Sequence, residues 1–202
     1  MFRLTVAPGI EIRLFDVKEA EAIYAEVDRG RAYLRRWLPW VDFTRSPEDI
    51  RQFIVTRVRG QYEANQGPQA GIWIEGEFAG SVGCHPINWQ NRNCSFGYWI
   101  AERHQGKGIV TRCCGALLTY LFEDLRLHRV VIECGTGNAK SCAIPQRLGF
   151  SREGISRHGE WVNDQWIDLV VWSMLEDEWR AGRSRTDDRV LSPVNPRRLE
   201  SP

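Results

Sequence analysis

FGYWIAERHQGKGIVTRCCGALLTYLFE, residues Phe96–Glu123, changes character twice. Phe96, Gly97, Tyr98, Trp99 and Ile100 are mostly β-prone and apolar, as a buried strand should be. Arg103-His104-Gln105-Gly106-Lys107-Gly108 is a tight polar turn. From Ile109 the apolar positions Val110, Cys113, Cys114, Leu117, Leu118, Leu121 and Phe122 recur at three and four, which is helical spacing. The reading is strand, turn and a helix from about Gly106 to Leu125. Gly106 and Gly108 then stand at the helix entrance, where the first backbone N–H groups lack helical partners and the macrodipole is positive. Without Cβ atoms, they let a phosphate approach those N–H groups closely. Two glycines are also what an ordinary turn before a helix would use, so the pair alone does not decide.

Two phosphate-binding patterns are excluded. A Walker loop requires GxxxxGK[ST], and Gly108 is followed by Ile109. The dinucleotide fingerprint GxGxxG requires a glycine where Thr111 stands and an acid after the next strand. What fits is R-x-x-G-x-G, with Arg103, Gly106 and Gly108 between strand and helix. This resembles the pyrophosphate-binding turn of the GNAT superfamily of N-acetyltransferases. The resemblance implies acetyl-CoA as co-substrate, with Ile100, Gln105, Gly106, Lys107, Gly108, Ile109 and Val110 along its path.

Outward from this stretch, residues 3–14 read as an opening strand interrupted by Pro8-Gly9. Asp16 caps a helix from Val17 to about Arg35, broken by Trp37-Leu38-Pro39-Trp40. Ser46-Pro47-Glu48-Asp49 opens a second helix, ending near Gly67-Pro68. Three strands come next (Gln69–Ile74, Phe78–Ile87 and Cys94–Ile100), the first two joined by a turn at Glu75-Gly76-Glu77. Beyond the central helix come a strand at Arg129–Cys134, a short helix from Asn138 to Leu148, and a last strand pair turned by Asn163-Asp164. Residues 182–202 hold three prolines, many charges and little apolar content, and are expected to be a disordered tail behind one domain over residues 1–181. The order β-α-α-β-β-β-α-β-α-β-β gives a mixed α/β (α+β) fold, a mixed central sheet of about seven strands flanked by about four helices. The order matches the GNAT fold, which implies that the strands before and after the central helix splay apart around the cofactor's pantetheine arm.

Two further motifs narrow the resemblance. Asn138-Ala139-Lys140-Ser141, with Leu148-Gly149-Phe150 beyond, is structurally a capped short helix entering a strand. It resembles the RimJ/RimL-type branch, whose members acetylate N-terminal amines of ribosomal proteins. That likeness implies that Asn138 binds the pantetheine amide and that the Ser141 hydroxyl sits beside the cofactor sulfur. Many acetyltransferases place a tyrosine general acid seven residues after this asparagine; here that position is Pro145, which leaves Ser141 as the nearest candidate. Pro145 should also shorten or kink its helix. His158-Gly159-Glu160-Trp161-Val162-Asn163-Asp164 resembles the branch's last hairpin and implies Glu160 as general base through water, with Asp168 and His158 next in line. From residue types alone, a glutamate at a strand end needs no such explanation. A backbone N–H near Ile100 is expected to serve the thioester carbonyl. Trp37-Leu38-Pro39-Trp40 resembles the branch's acceptor-side loop; its tryptophans either close a helix hairpin in the core or line the acceptor pocket, and at least one is expected in the pocket.

Composition bounds the rest. The chain has 202 residues, 43% hydrophobic and 26% charged, which suits a globular domain. Its net charge of +1 points to neither nucleic acid nor an anionic membrane as partner. No run reaches transmembrane length and the N-terminus lacks a signal-peptide pattern, so a cytoplasmic location is expected. The six cysteines form no C-x-x-C and no metal-ligand spacing, and are read as reduced buried thiols. Most of the nine tryptophans are expected in the core.

The leading reading is an acetyl-CoA-dependent N-acetyltransferase acting on a primary amine, the N-terminal α-amine of a ribosomal protein, by direct attack in a ternary complex. Its rivals are a small-molecule amine or antibiotic acetyltransferase of the same fold and a non-catalytic acyl-CoA-binding module. The branch suggests a homodimer. The sequence does not.

Overall fold

The computed structural model describes residues 2–190, with side chains in the last helix as far as Arg183. The strands are β1 (Arg3–Ala7), β2 (Ile10–Leu14), β3 (Gln69–Ile74), β4 (Glu77–Cys84), β5 (Asn93–Ile100), β6 (Arg129–Gly135), β7 (Ser151–Val162) and β8 (Gln165–Leu175). They form one eight-stranded sheet in the order β1-β2-β3-β4-β5-β6-β8-β7. All neighbours are antiparallel except β5 and β6. The strand beyond the expected seven arises at Pro8-Gly9. Gly9 takes φ +71°, the chain reverses, and Ala7 pairs with Ile10 across a hairpin.

The helices are α1 (Ala20–Arg29), α2 (Pro47–Phe53), α3 (Ile109–Thr119), α4 (Ala139–Leu148) and α5 (Glu176–Val190), with short helical turns between them. The expected caps are present. Asp16 and Glu19 form a capping box ahead of α1, and Ser46 and Asp49 another ahead of α2. α1 stops at Gly30, short of Arg35, and a separate turn at Arg31–Leu34 continues the chain. α2 runs on through a π-helical segment, Ile54–Arg59, and a last turn, Gly60–Glu63. α3 begins at Ile109 rather than at Gly106, because Gly108 at φ +69° is its cap. α5 carries the start of the expected tail: residues 182–190 are helical, and Arg183 bonds Glu123 at 3.1 Å and lies over the Trp179 ring. Three acids in its first turn suit a helix start. Residues 191–202 lie outside the described residues.

Two apolar layers hold the sheet. α3 buries Cys113, Cys114, Leu117 and Leu118 on one face against Phe96, Val130 and Ile132. The other face is covered by α1 and α2 through Ile23, Ile50 and Ile54, packed with Phe15, Trp73 and Phe78. Each such aliphatic or aromatic side chain contributes about 1.5–3 kcal/mol by leaving water. Five of the six cysteines are buried, Cys142 partly so, and all six are free thiols. Among the described residues no helix is long and apolar enough to cross a membrane.

The last strands are also tied by charge. Arg129 on β6 grips Glu153 on β7 with two bonds of 2.5 and 2.6 Å across β8, and Ser173 Oγ on β8 donates to the same carboxylate at 2.8 Å. Those donors hold the Glu153 carboxyl down at about 2. Its unfolded value is ~4.3, so the pair stabilises above that pH and is lost as pH falls from there toward about 2. Because Glu153 is 41% exposed, solvent screening limits the contribution to roughly 0.5–1 kcal/mol. Glu153→Gln should therefore lower stability by that amount at pH 7 in urea melts and flatten the acid limb of the stability profile. An unchanged limb would show that other carboxylates govern it.

Candidate active site

β5 and β6 pair at only three positions, Asn93–Arg129, Cys94–Val130 and Ser95–Val131. Beyond them β5 stays with β4, from Phe96–Cys84 to Ile100–Gly80, while β6 stays with β8, from Ile132–Trp172 to Gly135–Leu169. The facing edges therefore diverge. Ala101 N–H turns toward β4, donating to Ala79 O at 2.8 Å. Alternation along the strand aims the Ile100 N–H at the gap. A cavity of about 1600 Å³ follows this opening. Consecutive residues from Phe96 to Ile100 line it, which requires the cavity to reach both faces of the strand. Tyr98 meets α4, bonding Ser141, while Trp99 packs on the other side, tilted against Trp40 and edge-on to Phe78.

At the turn, Gly106 and Gly108 have φ of +74° and +69°, and a Cβ on either would meet nothing within 4 Å. The helix start behind them has no side-chain cap. His104 Nε2 and Gln105 Nε2 are buried without partners beside this open space. Gln105 Oε1 accepts from Lys140 Nζ at 3.0 Å. Gln105, Gly106, Gly108, Ile109 and Val110 all line the cavity, joined by Arg112, Lys140 and Arg147. Lys107 is exposed and does not line it, so the cations at this end come from α3 and α4, not from the turn. Arg103, the first residue of the pattern, also turns away: it pairs with the buried Glu26 of α1 at 2.9 Å and with Glu77. Positive side chains, uncapped N–H groups and space without Cβ atoms make an anion cradle.

Asn138 caps α4, its Oδ1 accepting from Ser141 N at 3.1 Å, which leaves Nδ2 as the donor of that side chain. Ser141 Oγ lies 3.3 Å from both the Tyr98 hydroxyl and Cys134 Sγ. Pro145 does not shorten the helix, which runs unbroken to Leu148. Gly149 at φ +83° and the bond from Phe150 N to Pro145 O at 3.0 Å then close it as a Schellman cap, which is the local reason for Leu148-Gly149-Phe150.

Trp37 and Trp40 both line the cavity and both are partly exposed. Trp37 packs over Gly135 and Gly137, where a Cβ would stand 3.2 and 3.4 Å from the ring. Arg31 holds their loop by donating to Val41 O and Thr44 O, and Asn163 Nδ2 reaches from the β7–β8 turn to Arg35 O at 2.7 Å.

Residues 10–151 match the family described as acetyltransferase (GNAT) domain. The chain belongs to that family. YdaF of Bacillus subtilis strain 168, whose name gives it only provisionally as a ribosomal N-acetyltransferase, is 39% identical over 179 residues, 89% of this chain and 98% of that protein. The ribosomal-protein-serine acetyltransferase of Escherichia coli K12 is 26% identical over 86% of this chain and 97% of its own. Among solved structures, RimL, the ribosomal L7/L12 α-N-protein acetyltransferase in complex with coenzyme A, superposes with a TM-score of 0.83 at 25% identity, covering 88% of this chain and 99% of that one.

In this GNAT domain Glu160 lies on β7 opposite Ile167 and lines the cavity, half-buried. Burial first, and the Glu133 carboxylate second, push its carboxyl above the ordinary glutamate value. The other two candidate bases are elsewhere. Asp168 accepts from His158 N at 2.8 Å in the β7 bulge, the His158 ring stacks on Trp166, and neither lines the cavity. Sequence reasoning missed Glu133, Cys134, Trp99, Arg112, Lys140 and Arg147. For Lys140 and Arg112 the signal was present, as cations near helix entrances, whereas Arg147 stands in the last turn of α4. For Glu133 it was absent, since only the divergence of β6 exposes that position.

The two carboxylates yield a test. Removing the Glu133 charge takes away a like-charge neighbour, so Glu133→Gln should lower the Glu160 value without restoring the ordinary one, because burial is the larger cause. Carboxyl-carbon NMR titration of Glu160 in both proteins measures this. An unchanged midpoint would separate the two groups.

Proposed function

We propose that the chain transfers the acetyl group of acetyl-CoA to a primary amine, most fittingly the N-terminal α-amine of a ribosomal protein. The carrying observation is that one cavity joins the anion cradle, Ser141, Glu160 and the paired tryptophans. Its volume of about 1600 Å³ exceeds the ~300–1,000 Å³ of ordinary small-molecule pockets, which gives room for a cofactor arm and a second chain together. The names of the relatives in B. subtilis and E. coli support the ribosomal acceptor.

The cradle residues fit the cofactor's pyrophosphate: Gly106 and Gly108 by open backbone, Gln105 by its buried Nε2, which has no partner, and Arg112, Lys140 and Arg147 by charge. Asn138 Nδ2 is the donor for a pantetheine carbonyl. Acetyl-CoA supplies the activated acetyl group. Ile100 N–H, open to the gap, donates to the thioester oxygen as negative charge builds there. Glu160, acting through water, takes the proton of the incoming amine. An α-amine at ~7.7–8.0 asks far less of this base than a lysine at ~10.4. Ser141 Oγ–H donates to the departing sulfur. A direct transfer needs no cysteine nucleophile, and burial pushes the thiols of Cys113, Cys114 and Cys134 above their ordinary value.

A second reading rests on Glu133. Two carboxylates in one cavity also suit a small polyamine. Mass spectrometry of cellular N-termini with and without the protein, beside a screen of purified enzyme against peptides and polyamines, separates the acceptors.

Cofactor binding is tested by Gly108→Asn. Asparagine tolerates the left-handed region, so the fold should persist while a side chain fills the cradle. CoA affinity by calorimetry should fall roughly tenfold or more, ~1.4 kcal/mol. Unchanged affinity in the folded variant would remove this turn from the cofactor's path.

The chemical roles are tested by kinetics across roughly pH 6–9, which brackets the α-amine. Glu160→Gln should lower kcat by ~10²–10⁴-fold with CoA affinity intact. With the scan carried on to lower pH, activity should fall as the raised Glu160 carboxyl protonates, and that limb should vanish in Glu160→Gln while the limb of the α-amine at ~7.7–8.0 persists. Ser141→Ala should lower kcat less, since water can protonate a thiolate. A Glu160→Gln change confined to the acceptor KM would make Glu160 a binding carboxylate for the cationic amine.

A further inference from the structure

α4 carries a proline in its interior, and the hydrogen bond it forgoes is replaced from another element. Pro145 has no N–H for the Ser141 carbonyl four residues back. That carbonyl accepts instead from the Tyr98 hydroxyl of β5, at 3.0 Å. A phenol has one proton. With it committed to the carbonyl, what Tyr98 presents to Ser141 Oγ, 3.3 Å away, is a lone pair. Cys134 Sγ of β6 stands 3.3 Å from the same Oγ and 3.7 Å from the phenol oxygen. Side chains of β5 and β6, the two strands that diverge, thus meet at one serine of α4.

We propose that Tyr98 is a positioning residue that fixes Ser141 Oγ in the gap, and that Pro145 secures it there by leaving the Ser141 carbonyl to the phenol. The inference rests on the reading of Ser141 as hydrogen-bond donor to the departing sulfur. A free serine hydroxyl has three staggered positions and competing acceptors nearby. Here the oxygen is held and only the proton has to swing. At rest the proton lies on the Tyr98 lone pair. When negative charge appears on sulfur, a charge-assisted bond is the stronger one and draws the proton over. Tyr98 itself stays neutral. Burial first, then the neighbouring Cys134 and Cys114, push its phenol far above the ordinary range, so it keeps its proton on the carbonyl and is no source of protons.

The test is a cycle of variants read by steady-state kinetics and melting. Tyr98→Phe keeps the ring and removes the hydroxyl. It should lower kcat roughly tenfold, less than the ~10²–10⁴-fold of a lost proton-transfer group, with acetyl-CoA KM and CoA affinity unchanged. Because the effect runs through Ser141, the Tyr98→Phe/Ser141→Ala double variant should be no slower than Ser141→Ala alone. Pro145→Ala added to Tyr98→Phe returns an N–H to the orphaned carbonyl, so it should recover melting temperature but not kcat. Wild-type kcat in Tyr98→Phe, additive losses in the double variant, or recovery of kcat by Pro145→Ala would each overturn the role. If Ser141→Ala alone retained full kcat, the reading of Ser141 would fall and this one with it, a result distinct from failure at Tyr98.

Discussion

The site depends on a parallel contact that lasts three residue pairs and stops. Backbone donors and acceptors inside a protein need partners, and a sheet normally supplies them along the whole edge. Here both strands are committed elsewhere. β6 is held by seven register pairs to β8, and β5 by five to β4. Gly80 sharpens the second commitment. A Cβ there would sit 2.3 Å from Trp99 O, so only glycine lets β4 close onto β5 beyond the bulge between Ile72 and Trp73. The edge groups left over face the cavity. A ligand running along the gap would complete the sheet, and the candidate site accordingly lies where the pairing ends.

The turn at the mouth of this gap is fixed by an ion pair rather than by apolar packing. Glu26 is buried on α1, with 7% of its side chain exposed, and Arg103 and Arg29 both reach it. Arg103 is one of two cations on this buried carboxylate, and breaking a buried ion pair at one partner is costly, so Arg103 is held at Glu26. The arginine of the R-x-x-G-x-G pattern therefore anchors, and the glycines stay open to the cavity. That division spares the turn from having to reorganise when an anion arrives, because its charge partner is already inside the protein.

Most of the fold was legible because its signals are local. Caps at Asp16 and Ser46, the turn glycines, the three-four spacing of α3 and the Asn163-Asp164 hairpin each act within a few residues. Trp37, Trp40, Asn138, Ser141 and Glu160 were legible through motif resemblance, and one cavity gathers them. What stayed hidden is non-local. That the two halves of the strand interrupted at Pro8-Gly9 fold back on each other as separate strands depends on β1 finding β2. That Glu133 faces the cavity depends on β6 leaving β5. The partner of the Ser141 carbonyl comes from a residue 43 positions earlier, and no spacing rule connects the two. Pro145 illustrates the limit: a local rule predicted a shortened helix, and a tertiary hydrogen bond absorbed the missing donor.

The acceptor wall divides its labour by chemistry. Polar atoms do the holding. Arg31 ties two carbonyls of the loop, Arg35 forks onto Asp42 with two bonds of 3.0 Å, and Asn163 bridges from the opposite hairpin. Apolar faces are thereby left free. Trp37 rests on glycines and Trp40 leans on Trp99. Aromatic faces discriminate weakly by hydrogen bonding and strongly by shape and charge, since their quadrupoles attract cations. The carboxylates of Glu133 and Glu160 add to that attraction. On the proposed function, an amine acceptor would be drawn by its ammonium group and sorted by the groups attached behind that nitrogen. On the proposed amine transfer, selectivity would then lie in the shape of a loop whose position is set by hydrogen bonds within the protein.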